Sequence, residues 1–147
     1  MERMFHILLY RAFHAQRNYL RPCFQEIGLG AGQPKLLGYL SVHGPCSQRE
    51  LANYFEVDPA AVSRMLDTLE RNGFRLRSED QADRRADRIQ LTEAGRRASK
   101  LWQERCRAME QAMLRGFTDA ERGQFADFLS RAHQNLKHQR RSEVEYR

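Results

Sequence analysis

Residues 48–74 read QRELANYFEVDPAAVSRMLDTLERNGF, and residues 83–95 read DRRADRIQLTEAG. Between them these two stretches decide the fold. Ser47 and Glu50 form a Ser-x-x-Glu capping box, in which hydroxyl and carboxylate each satisfy an orphan backbone donor, so a helix starts at Ser47 with Leu51, Ala52 and Phe55 inward. Asp58 is placed to cap a second helix with Pro59 at its first position. Val62, Met65, Leu66 and Leu69 share one face of it, and Gly73 is its left-handed stop. The connection Glu56, Val57 and Asp58 is short enough to make the pair a helix-turn-helix. Beyond Gly73 the period changes from helical to alternating. Phe74 to Arg77 and Arg88 to Leu91 each alternate apolar with polar or charged residues, which predicts two short strands around the polar link SEDQADRRAD.

Working outward, residues 2–27 carry Phe5, Leu8, Leu9, Ala12, Phe13, Leu20, Phe24 and Ile27 at helical spacing, and GLGAG at 28–32 breaks that helix. Pro34 opens a short helix bearing Leu36, Leu37 and Leu40 that stops at Gly44 and Pro45. On the other side, Thr92 caps a long helix striped with Ala98, Trp102, Cys106, Met109 and Met113. A second box, Thr118 with Glu121, opens a last helix with Phe125, Phe128, Leu129, Ala132 and Leu136, and the charged end from His138 is expected to fray. The fold class is therefore mainly α with a small β-wing: one winged helix-turn-helix domain over 1–147 with about six helices. Its head spans about 34–91, and the helices at 2–27 and 92–141 form a dimerisation frame. Those terminal helices present more apolar stripe than the head can cover, so a homodimer is expected.

Composition narrows the function. The 147 residues carry a net charge of +6 with a sequence pI near 9.6, so an acidic partner suits the chain. No apolar run reaches the ~20 residues that span a bilayer, so neither membrane attachment nor export is expected and the cytoplasm is the expected location. Cys23, Cys46 and Cys106 are odd in number, widely spaced and without a CxxC, which predicts reduced thiols and neither disulfides nor a zinc knuckle. His6, His14 and His43 share no metal-ligand spacing, and no metal or cofactor is expected. No phosphate loop, G-x-S-x-G, H-E-x-x-H or paired Cys and His occurs, so catalysis is not expected.

The outward side of the second helix of the pair begins with Pro59, Ala60, Ala61, Ser63 and Arg64. Small residues at a helix start allow close approach to a duplex, the helix N-terminus favours phosphate, and Arg64 has the fork that matches a guanine edge. Thr68, one turn on, and Ser47 belong to the same expected DNA-facing set. In the hairpin link, Arg84 and Arg85 suit the deep negative potential of a narrow minor groove. Glu79, Asp80, Asp83 and Asp87 lie in or beside the same link and do not suit a purely electrostatic clamp, so Asp83 is read as pairing with Arg75 or Arg77 to hold the wing in shape. The competing reading is a winged helix whose basic wing meets an acidic protein surface.

From Gly28 to Arg97 the chain resembles the MarR (multiple antibiotic resistance regulator) family of bacterial winged-helix regulators. The resemblance rests on GQPKLL at 32–37, on residues 48–74, and above all on Asp83-x-Arg85, five residues, then Leu91-Thr92-Glu93-x-Gly95. It implies a homodimer with interlocked terminal helices, bound to a pseudo-palindromic DNA site whose half-sites lie ~10 bp apart. It also implies a recognition helix in the major groove, Arg85 in the minor groove with Asp83 as its organiser, and a repressor relieved by a small-molecule effector. His14, Tyr39 and Trp102 are the residues assigned to an effector cleft. Position 75 departs from the family, which usually has an apolar residue there. Arg75 is therefore expected to face solvent or phosphate, leaving Arg77 as the partner of Asp83. A thiol-based redox sensor is the alternative within the family. Its sensing cysteine falls early in the first helix, where this chain has His6 or Ile7, so Cys23 does not match it.

Overall fold

Capping residues set most of the element boundaries. The computed structural model describes residues 4–30, 33–79 and 87–145, except the side chains of 77–79, 87 and 140–145. The element order is α1 (Phe5–Ile27), α2 (Pro34–His43), α3 (Gln48–Phe55), α4 (Pro59–Arg71), β1 (Arg75–Glu79), β2 (Asp87–Leu91), α5 (Glu93–Met113) and α6 (Asp119–Glu145). This is the mainly helical winged fold that the capping and periodicity signals predict. Gly28, in the left-handed region at φ 78°, closes α1 by donating its N–H to the Phe24 carbonyl. At α3 the box is complete: Glu50 N donates to Ser47 Oγ at 3.1 Å, and Ser47 N donates to Glu50 Oε2 at 3.0 Å. Such a cap stabilises a helix by about 1 kcal/mol. At α4, Ala60 N donates to Asp58 Oδ1 at 3.0 Å, with Pro59 in the first turn where its missing N–H costs nothing.

The chain forms two compact units, Met1–Glu110 and Gln111–Arg147. The first holds the core. Leu36, Leu37 and Leu40 of α2, Leu51 and Ala52 of α3, and Val62, Leu66 and Leu69 of α4 close on Ile89 of β2, with Cys23 and Ile27 of α1 and Ala98 of α5 around them. Two features of this core carry no local sequence signal. Cys46 and Ile89 exchange backbone hydrogen bonds, Ile89 N to Cys46 O at 2.8 Å and Cys46 N to Ile89 O at 3.4 Å, so the residue before the α3 cap extends the hairpin. Ser99, fully buried, donates to the Leu37 carbonyl 62 residues away.

The hairpin is anchored at its base by Thr92. Its N–H donates to the Phe74 carbonyl at 3.0 Å, its hydroxyl donates to the Gly73 carbonyl at 2.6 Å, and the same oxygen accepts from Gly95 N at 3.0 Å to cap α5. The α5 backbone lies so close to Phe74 that a Cβ on Gly95 would fall inside van der Waals contact with the Phe74 carbonyl. Leu-Thr-Glu-x-Gly is thus a junction in which the threonine bonds both neighbours and the glycine makes room for them.

In the second unit Thr118 and Glu121 form the other predicted box, Thr118 N to Glu121 Oε1 at 3.0 Å and Glu121 N to Thr118 Oγ1 at 3.2 Å. The hydrogen bond from the Thr118 backbone holds the Glu121 carboxyl below the usual range. Phe125, Phe128, Leu129 and Leu136 of α6 are all exposed, Leu136 to 71%.

Gly95→Ala is expected to cost about 1–3 kcal/mol through overpacking against Phe74. Gly38→Ala, whose Cβ would sit 3.6 Å from the Trp102 ring, is expected to gain up to about 1 kcal/mol of helix propensity. Urea unfolding followed by circular dichroism at one protein concentration measures both.

Candidate nucleic-acid interface

The turn between α3 and α4 is made by Glu56, a non-glycine residue in the left-handed region at φ 54°, whose N–H bonds the Ala52 carbonyl, as does that of Val57 at 3.1 Å. Gln48 then ties the two helix starts together, donating from Nε2 to the Pro59 carbonyl at 3.2 Å. With that angle set, α4 turns Val62, Leu66 and Leu69 into the core and leaves Ala60, Arg64, Asp67 and Arg71 outward at steps of four, three and four residues. Pro59, Ala60 and Arg64 are exposed, and Ala61 and Ser63 are half-buried beside them. Of the expected contact residues, Thr68 is placed differently: half-buried, it donates to the Arg64 carbonyl at 3.1 Å and accepts from Arg71 at 3.3 Å. Ser47 is occupied as the α3 cap. The same outward stripe holds Asp67 and Arg71, which the sequence analysis did not name, although continuing the helical period one and two turns beyond Arg64 finds them.

The antiparallel register of the wing pairs Arg75 with Leu91, Leu76 with Gln90, and Arg77 with Ile89. Directly paired residues share a face, so the buried side of β2, Ile89, sets the phase of β1. Arg75 therefore does not face solvent or phosphate, as expected from sequence; it is buried, 2% exposed, while Leu76 points out at 59%. The Gly73 turn and the Thr92 bond to Phe74 start the strand at Arg75, one residue out of phase with its apolar pattern. The arginine stem fills the inward site and carries the guanidinium to α4. There Nε donates to the Leu66 carbonyl at 2.9 Å, and Nη2 lies 3.2 Å from Glu70 Oε2 and 3.9 Å from Asp67 Oδ1. Arg77 lies opposite Ile89 in β1, its side chain outside what is described. Asp83, Arg84 and Arg85 lie outside the described residues.

The residues assigned to an effector cleft have separate surroundings. His14 stacks on Tyr10, Trp102 stacks on Phe24, and Tyr39 belongs to a cluster with His43, Tyr54 and Phe55. Among the described residues no three His, Cys, Asp or Glu side chains converge on a metal-sized site, and no helix is long and apolar enough to cross a membrane. Burial pushes the Cys46 thiol up to about 11, helped by Glu50. The Cys106 thiol also rises to about 11, through burial and then its neighbours Cys23 and Glu110. Burial raises Cys23 as well, with Glu26 adding to it. Raised thiols are poor nucleophiles at neutral pH, the reverse of what a peroxide-sensing cysteine needs.

Comparison with known proteins places this geometry. Residues 30–86 match the model of the MarR family. The chain is 29% identical over 89 residues to the uncharacterized HTH-type transcriptional regulator YwhA of Bacillus subtilis (strain 168), covering 60% of this chain and 64% of that relative's length. It superposes on the transcriptional regulator SlyA with a TM-score of 0.85 at 25% identity, covering 93% of this chain and 96% of the other. It has the same fold as a Listeria monocytogenes protein solved with 26mer DNA: TM-score 0.82, 22% identity, 92% of this chain and 90% of that one covered.

Because Cys46 and Cys106 titrate near 11, their thiolates are scarce at neutral pH and grow as pH rises toward that value. Iodoacetamide labelling of the folded protein, followed by mass spectrometry, is expected to be slower than for a free cysteine at pH 7.5 and to accelerate toward pH 10.

Proposed function

We propose that this chain, whose residues 30–86 match the model of the MarR family, is a member of that family and a sequence-specific DNA-binding regulator of transcription that acts as a homodimer. The observation that carries this reading is the outward stripe of α4. A capped helix start presents Pro59 and Ala60 with no bulky side chain, followed by an exposed Arg64, and an antiparallel hairpin comes directly after. That combination suits a major groove flanked by a minor groove: backbone and small residues approach the phosphates, Arg64 reads a guanine edge, and the wing reaches the neighbouring groove. Arg84 and Arg85 are the wing residues for that contact, with Asp83 and Arg77 holding its shape. Ala61 and Ser63 line the edge of the same surface, and Ser47 and Thr68 support it through their helix caps and turns.

Two sets of uncovered apolar residues support the dimer. Phe5, Leu8, Leu9 and Phe13 of α1 are more than half exposed, as is Phe128 of α6. A second copy related by a two-fold axis buries them and places two recognition helices on a pseudo-palindromic site. The regulator is a cytoplasmic, non-catalytic repressor whose operator affinity falls when an effector favours a different spacing of the two recognition helices. His14, Tyr39 and Trp102 are the side chains proposed to meet that effector.

Fluorescence anisotropy with the intergenic duplex upstream of the chain's own coding sequence tests the reading. Binding is expected to weaken steeply with salt. Arg64→Ala should cost about 1–3 kcal/mol and relax base preference at one position per half-site, whereas Arg85→Ala should weaken all sequences alike. Salt-independent binding, or two variants equal to wild type, would refute it in favour of an acidic protein partner. For the dimer, Leu8→Asp combined with Phe128→Asp is expected to shift the sedimentation equilibrium mass from two chains to one.

A further inference from the structure

Arg75 brings a buried charge to the underside of the recognition helix, and the DNA reading above makes no use of it. Only 1% of its side chain is exposed, yet two carboxylates that it meets on α4, Asp67 and Glu70, are 60% and 53% exposed. Asp67 stands on the same outward stripe as Arg64 and Arg71, and all of these residues except Arg75 line one shallow depression with Thr68. Taken alone, the acids Asp67 and Glu70 cancel Arg64 and Arg71, leaving this half of the helix neutral toward a polyanion. Arg75 adds a positive charge directly behind these two carboxylates. The cation comes from β1, so the same contact fastens the wing to the helix: its Nε holds the Leu66 carbonyl at 2.9 Å while Nη2 sits against Glu70 at 3.2 Å.

We infer that Arg75 is a positioning residue of the DNA interface, an internal counter-charge that makes Asp67 and Glu70 compatible with a phosphate backbone and locks the wing to the recognition helix. The inference rests on the DNA-binding reading. A carboxylate that keeps a cation behind it is free to accept from an exocyclic amine in the groove; one that has lost that cation repels the nearest phosphates. The geometry also explains why an arginine fits here: its amphipathic stem fills an apolar site while its planar head serves a carbonyl and carboxylates together.

The test uses the full-length chain and the same upstream duplex in anisotropy titrations. Arg75→Met, which keeps the stem and removes the charge, is expected to weaken binding roughly tenfold, the scale of stripping one member from a coupled charge pair. Arg75→Lys keeps the charge but loses the Nε bond to the Leu66 carbonyl, so its affinity should fall between wild type and Arg75→Met. The deciding measurement is a mutant cycle: Asp67→Asn with Glu70→Gln should raise affinity at least about threefold more in the Arg75→Met background than in the wild-type background, and equal gains in the two backgrounds, the mere effect of removing negative charge near DNA, overturn the inference. Wild-type affinity in Arg75→Met, or an unrecovered loss in the triple variant with native circular dichroism, overturns the inference. If Arg75→Met does not fold, Arg75→Lys against Arg75→Gln makes the same comparison, and equal affinities overturn it. Absence of binding by the wild type itself is a distinct result: it removes the DNA reading, and this inference falls with it.

Discussion

The hydroxyl of Thr92 joins the end of one helix to the start of another, and the rest of the head depends on that junction. It donates to the Gly73 carbonyl, beyond α4, while accepting from Gly95 to begin α5. Phe74, held from both sides by Leu69 and Thr92 through backbone bonds, is the fixed point from which β1 departs. Once it is fixed, the strand phase, the side of the hairpin that meets the core and the direction of Arg75 all follow. The absence of a Cβ at Gly95 is what lets the two backbones come this close.

Local charge placement matters more to the proposed interface than the net charge of +6. Exposed helix pairs such as Arg97 with Glu93 and Arg131 with Asp127 are solvent-screened and contribute little. Arg75 is different because it is almost wholly desolvated and its charge cannot be screened from the same side. Burying a guanidinium is unfavourable unless hydrogen bonds and opposite charge offset it, and the Leu66 carbonyl, Glu70 and Asp67 provide both. The wing and α4 are therefore coupled electrostatically as well as by the apolar contacts around Ile89.

The apolar residues of the first and last helices are among the least covered. On α1 the inward residues that reach the core, Leu20, Cys23 and Ile27, lie in its last two turns, while Phe5 to Phe13 face outward. On α6 the apolar residues among those described are all exposed. Amphipathic helices of this length are rarely stable through propensity alone, because an uncovered stripe gains nothing from its own hydrophobicity. A second copy supplies the missing surface in the dimeric reading.

Much of this was legible in the sequence because its signals are local. A capping box acts over four residues, a proline or glycine over one, and a stripe of leucines over two turns, so Ser47 with Glu50, Asp58 with Pro59, Thr118 with Glu121 and the core face of α4 could all be read directly. The winged order of elements and the exposed Arg64 followed from them. Tertiary structure alone decided the bonds whose partners are distant or whose phase is set elsewhere: Ser99 to Leu37, Cys46 to Ile89, Gln48 to Pro59, and above all the inward turn of Arg75. The alternation of Phe74 to Arg77 names two faces without saying which is inward. The register with Ile89, set by packing against three helices, made that choice, and it placed a charge where the pattern suggested a leucine.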